Sequence, residues 1–140
     1  MSTIPFEIVT PDRVVFSEQV EFLTVRTGAG EIGVLPRHAP LATTVKPGIV
    51  KIRTERGEDY VATTDGFLHV LPDQVSLLVN AAEIGSAVDV ERAMRAKERA
   101  EERLSLRGDD VDVMRAELAL ERSLNRLRAS ELSPKNAMQR

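Results

Sequence analysis

The apolar periodicity of this 140-residue chain changes near Ser86, and that change constrains the fold more than any other feature. Upstream, short runs alternate apolar and polar residues or are rich in β-branched ones, at 6–9, 20–26, 49–53, 60–63, 67–70 and 75–79. Turn formers separate them: Pro11-Asp12, Gly28-Ala29-Gly30, Pro47-Gly48, Arg56-Gly57, Asp65-Gly66 and Pro72-Asp73. Several short strands at this spacing predict a β-sandwich or flattened barrel. Downstream, Ala93, Ala96, Ala100 and Leu104 recur at offsets of 3, 4 and 4 with no Gly or Pro between them, which is one helical stripe. A second stripe runs through Val113, Ala116, Leu120, Leu124 and Leu127. Ser86, with Asp89 three residues on, is the expected N-cap. Gly108-Asp109-Asp110 is the expected break between the helices, and Ser133-Pro134 the expected stop.

The expected architecture is therefore an N-terminal β-sandwich or flattened barrel over 1–84, followed by an antiparallel two-helix hairpin over 85–140. Charge supports the boundary. Residues 1–86 hold 7 Lys+Arg and 11 Asp+Glu, whereas 87–140 hold 12 and 11, so the hairpin is far more densely charged. Its small apolar stripe makes a thin core, and isolated helices of this length are marginal in water. It should need the β-domain, a ligand or a partner to hold it.

Composition closes off several chemistries. There is no Cys, which excludes disulfides, thiolate zinc sites and cysteine catalysis. A net charge of −3 is a poor match to nucleic acid, so none is expected as a partner. No apolar run approaches the ~20 residues needed to span a bilayer, and the N-terminal residues do not read as a signal peptide. Neither His38 nor His69 stands at a metal-ligand spacing, and no P-loop or G-x-S-x-G elbow occurs, so no catalytic residue or metal site is expected. Gly28-Ala29-Gly30-Glu31-Ile32-Gly33 fits G-x-G-x-x-G, but Val34-Leu35-Pro36 follows and opens no helix, so the dinucleotide reading fails.

The arginines of the hairpin are the candidate binding groups. Arg92 and Arg99 lie seven apart on one face, and Arg115, Arg122 and Arg126 fall at 7 and 4 along another. Arg122 and Arg126 are a like-charge i,i+4 pair, unfavourable on an isolated helix. A polyanion would reverse that, since a hydrogen bond to a charged group contributes ~1.5–3 kcal/mol. The competing reading is a solvated face with local pairs such as Glu91–Arg95.

Gly30-Glu31-Ile32-Gly33-Val34-Leu35-Pro36-Arg37-His38-Ala39-Pro40-Leu41 resembles the most recognisable stretch of the ε-subunit family of bacterial rotary (F-type) ATP synthases. Val45-Lys46-Pro47-Gly48 and Gly66-Phe67-Leu68-His69-Val70 follow in that family's order. Val88-Asp89-Val90-Glu91-Arg92-Ala93 is similar to the nucleotide signature (Ile or Leu, Asp, two variable positions, Arg, Ala) of its ATP-responsive members. The resemblance implies a non-catalytic subunit whose β-domain packs on the γ subunit and the c-ring. It implies Glu31, Arg37 and His38, on a Gly/Pro-rigidified loop from Glu31 to His38, as contacts. It also implies a hairpin that either folds down or extends toward the catalytic α/β head to obstruct hydrolysis. ATP, with Mg2+ as an admissible companion, would be a regulatory ligand of the folded-down form. Glu83, Val88, Asp89 and Ala93 would line its adenine and ribose side, and Arg92, Arg99, Arg115, Arg122 and Arg126 the phosphates. Val88 stands where Ile or Leu is usual, which removes a methylene from that wall. The implied location is peripheral, on the cytoplasmic face of the plasma membrane, reached only through the complex. A stand-alone ATP-sensing module is the alternative.

Overall fold

A computed structural model describes residues 2–106 and 112–133. Ten strands come first: β1 (Ile4–Val9), β2 (Val14–Val20), β3 (Phe22–Thr27), β4 (Gly30–Val34), β5 (Leu41–Val45), β6 (Gly48–Thr54), β7 (Gly57–Thr63), β8 (Gly66–Leu71), β9 (Gln74–Val79) and β10 (Ala82–Ile84). A single 3₁₀ turn, Gly85–Ala87, then leads to α1 (Val90–Leu106) and α2 (Val113–Leu132). The strands form one sheet in the order β10-β7-β6-β3-β5-β8-β9-β1-β2, with β4 beside β3. All pairings are antiparallel except β1 with β9. The sheet folds into two leaves where β3 meets β5 through the single pair Thr27–Val45. This is the expected sandwich followed by two helices.

Alternation fills the space between the leaves. Ile4, Phe6 and Ile8 of β1 are buried, as are Leu23 and Val25, Val50 and Ile52, Leu68 and Val70, and Val75, Leu77 and Val79. Each pair or trio lies two residues apart, so all its side chains leave the same face of the pleat. Phe6 and Phe16 meet with ring centroids 5.8 Å apart at a tilted 51°, a favourable aromatic geometry. The core thus belongs wholly to the strands.

Several sequence expectations need correction. The alternating run at 20–26 is divided between β2 and β3 at Glu21, where the chain bends and changes partners: β2 pairs with β1, and β3 with β6. β2 opens on Val14-Val15-Phe16 but is interrupted by Ser17-Glu18-Gln19, and β4, β5 and β10 carry too few apolar residues to announce themselves. The stretch Glu31–His38 is not a loop throughout: Gly30–Val34 is a strand paired with β3. Ser86 does not cap α1. Its hydroxyl donates to Asp59 at 3.0 Å, and Asp89 takes the cap, its Oδ1 accepting the Arg92 N–H at 3.1 Å.

Leu124 is exposed, and Ser123 holds the buried place expected of it. Ala116, Ser123 and Ser130 are buried at sevenfold spacing, facing Ala93 and Ala100, also seven apart. The Ser123 hydroxyl is satisfied by the Ala119 carbonyl at 2.9 Å, so a small polar residue enters the seam without an orphaned donor. Asp112 caps α2 by accepting from the Arg115 N–H. The expected break at Gly108-Asp109-Asp110, and Pro134, lie outside the described residues.

α2 lies across β7, β10 and β6, and the 3₁₀ turn. Gly85 makes that approach possible. A Cβ there would come within 2.2 Å of the Ser133 hydroxyl oxygen and 2.3 Å of the Ala129 carbonyl oxygen. Backbone meets backbone at this point, and only glycine leaves room.

Candidate functional site

Where α2 crosses the β10-β7-β6 leaf, a cleft of about 370 Å³ opens. β7 supplies its floor with Ala62 and Thr63, the β5–β6 turn contributes Pro47, and α2 its far wall with Leu118, Arg122 and Asn125. β10 lies alongside through the pairs Ala82–Thr63, Glu83–Ala62 and Ile84–Val61. Thr64 extends that ladder: its N–H donates to Ala81 at 3.0 Å and its hydroxyl accepts the Ala81 N–H at 3.0 Å. Glu83 is in this way held at a fixed height on the sheet, facing the helices.

Glu83, Arg92, Arg122 and Arg126 all line the cleft, although they come from β10, α1 and α2. Arg126 engages Glu83 in a forked contact, with Nε donating to Oε1 at 3.2 Å and Nη2 to Oε1 at 3.1 Å and Oε2 at 3.3 Å. Both side chains are partly buried, at 19% and 32% exposure, so this pair is screened less than a surface bridge. It ties hairpin to barrel. Arg92, Arg122 and Arg126 share the cleft with three carboxylates, Glu83 and Asp65 on the barrel side and Glu121 on α2, so it offers guanidinium forks to an anionic group and acceptors to a group that donates hydrogen bonds.

The remaining nucleotide candidates stand elsewhere. Ala93 is fully buried in the helix–helix seam. Val88 is half-buried between the 3₁₀ turn and α1, and Asp89 is engaged as the α1 cap. Arg99 and Arg115 are exposed on their helices outside the cleft. Sequence reasoning missed Pro47, Thr64, Asp65, Leu118, Glu121 and Asn125, all of which line it. Leu118, Arg122 and Asn125 follow one another at 4 and 3, so extending the arginine face by helical spacing would have found the two neighbours. Nothing local marks Pro47 or Asp65, which arrive through strand pairing.

The candidate docking residues form a strand and a turn. Glu31 is exposed on β4 opposite Arg26. Leu35 to His38 make a tight turn closed by the His38 N–H donating to the Leu35 carbonyl at 3.1 Å. Pro36 takes the second position and Arg37 the third, with φ of 67°. That is a type II turn with arginine where glycine is usual. The His38 Nδ1 sits 2.7 Å from the Ala39 carbonyl oxygen, which fixes the ring beside the exposed Arg37.

Residues 3–85 match the family model described as ATP synthase, Delta/Epsilon chain, beta-sandwich domain, and residues 86–131 match its long alpha-helix domain. The chain is 46% identical over 127 residues to an ATP synthase epsilon chain of Bacillus velezensis, covering 91% of this chain and 96% of that one. An ATP synthase epsilon chain of Staphylococcus aureus is 46% identical over 133 residues, covering 94% and 99%. Among solved structures, a chain of the Euglena gracilis mitochondrial ATP synthase (OSCP/F1/c-ring) superposes with a TM-score of 0.75 at 28% identity, covering 94% of this chain and 82% of that one.

Proposed function

The chain belongs to the ATP synthase delta/epsilon chain family, and from that premise we propose that its hairpin regulates hydrolysis by the catalytic head, with ATP stabilising the docked form. It is the ε subunit of an F-type synthase central stalk and a non-catalytic member of that complex. The β-domain transmits rotation between the c-ring and the γ subunit, and Glu31, Arg37 and His38 form the contact. Glu31 stands on a paired strand, and the turn that carries Arg37 and His38 is closed by its own hydrogen bond and by Pro36, so docking orders little backbone anew. The complex holds the subunit peripherally, on the cytoplasmic face of the plasma membrane. Among the described residues no helix is long and apolar enough to cross a membrane.

The single observation that carries the regulatory reading is the cleft in which Glu83, Arg92, Arg122 and Arg126 converge from both halves of the chain. A ligand seated there touches barrel and hairpin together, and so favours the docked arrangement by its full binding free energy. Arg92, Arg122 and Arg126 take the phosphates. Glu83 accepts from the adenine amine or a ribose hydroxyl and exchanges its hold on Arg126 for the ligand. Arg99, Arg115, Asp89, Val88 and Ala93 complete the nucleotide set on adjustment of the helices, and Mg2+ accompanies the phosphates. When the hairpin opens, the same arginines face an acidic segment of the catalytic head, which makes the two states compete for one set of charges.

Calorimetry with ATP tests the sensor role. Binding at millimolar ATP or below, lost in Arg92→Ala and Arg126→Ala, is the expected result. Absence of binding heat removes the sensor role and leaves the stalk role, which is tested by co-purification with γ and the c-ring.

A further inference from the structure

Asp59 is a carboxylate buried to 4% exposure on β7, on the face shared with Val61. A charge placed there is costly unless its oxygens are occupied. They are occupied, and the origin of the donors is informative. Oδ1 accepts the Tyr60 N–H at 2.8 Å, from Asp59's own strand. Oδ1 also accepts the Ser133 hydroxyl, and Oδ2 accepts the Ser86 hydroxyl at 3.0 Å. Ser86 lies in the turn that leads into the hairpin, and Ser133 directly follows α2. One barrel carboxylate therefore holds both ends of the hairpin.

We propose that Asp59, Ser86 and Ser133 form a clasp that fixes the docked position of the hairpin and whose opening releases it. Packing at the same place is keyed to it. The backbone of Gly85 lies so close to Ala129 and Ser133 that the end of α2 has one seat on the turn. Apolar burial contributes little here: the buried residues of α2 are Ala116, Ser123, Ala129 and Ser130. A polar clasp behaves differently from an apolar seal. Misplacing α2 strands a buried carboxylate oxygen without its Ser133 donor, which penalises wrong seats. Full opening lets water replace the Ser133 hydroxyl, so departure costs much less than misdocking. The result is a hairpin that docks in one register yet remains releasable.

The clasp needs no nucleotide, so its test is run without one. The chain has no native Cys, which permits a donor–acceptor dye pair at Asp73→Cys and Arg128→Cys, both exposed. Undocking is followed in the full chain by energy transfer in rising urea, and barrel integrity by far-UV circular dichroism. Ser133→Ala and Ser86→Ala lie outside the barrel, so they leave its melting unchanged. Each should lower the docking equilibrium constant about tenfold, the effect of one lost hydrogen bond to a charged group. In the Asp59→Asn background Ser133→Ala should cost clearly less than in the parent, because two partners of one bond are not additive. Unchanged docking in both serine variants, or a full additive effect of Ser133→Ala with Asp59→Asn, overturns the proposal.

Discussion

At the scale of single residues, two positions combine structural cost with a placement that suits function. Arg37 holds φ at 67°, a conformation that costs an L-residue roughly 1–2 kcal/mol relative to glycine. Its side chain is exposed, with no hydrogen bond or ion pair among the described residues to offset this, which fits a residue retained for a partner. Arg37→Gly should therefore raise the stability of the isolated subunit by about 1 kcal/mol in urea denaturation while weakening assembly onto the stalk. Arg126 is the second such position. Arg126→Ala leaves Glu83 without its forked partner in a partly buried place. We expect ATP affinity to fall by at least tenfold in calorimetry, since a charge-assisted contact contributes ~1.5–3 kcal/mol. Arg115→Ala, outside the cleft, should change affinity less than Arg126→Ala.

Secondary-structure elements pose a different question, because the helices are legible as helices while their seam is not. The 3–4 spacing correctly located α1 and α2, yet it selected Leu124 for a buried position that Ser123 occupies. Periodicity reports only which residues can share a face. Which face turns inward depends on how closely the backbones approach, and close approach selects small side chains over large ones. Ser123→Leu should overpack the seam and cost about 1–3 kcal/mol, whereas Leu124→Ser should stay within ~0.5 kcal/mol; thermal melts of the two variants compare them directly. Gly85→Ala is the matching test at the barrel side. A Cβ 2.3 Å from a backbone oxygen cannot be relieved by a rotamer change, so the hairpin should undock, seen as loss of hydrogen-exchange protection confined to α1 and α2.

In the whole molecule, stability and regulation are divided between the two halves. The contiguous apolar core lies entirely in the strands, and the hairpin adds a thin seam of alanine and serine plus polar ties at Glu83 and Asp59. Residues 1–84 alone should therefore retain a cooperative β transition by circular dichroism but bind no ATP, because Arg92, Arg122 and Arg126 are gone. What the sequence by itself determined was local: strand alternation, turn placement, helical spacing, the absence of catalytic motifs, and the family stretch from Gly30 to Leu41. These follow from covalent geometry and side-chain shape within a few residues. Only the tertiary structure decided that β10 pairs with β7 and carries Glu83 to Arg126, 43 positions away in the chain. It likewise decided that Asp59, an ordinary turn-proximal acid in the sequence, is buried beneath Ser133, 74 positions distant. Such contacts leave no periodic trace, since they are set by where a sheet closes and where a helix comes to rest on it.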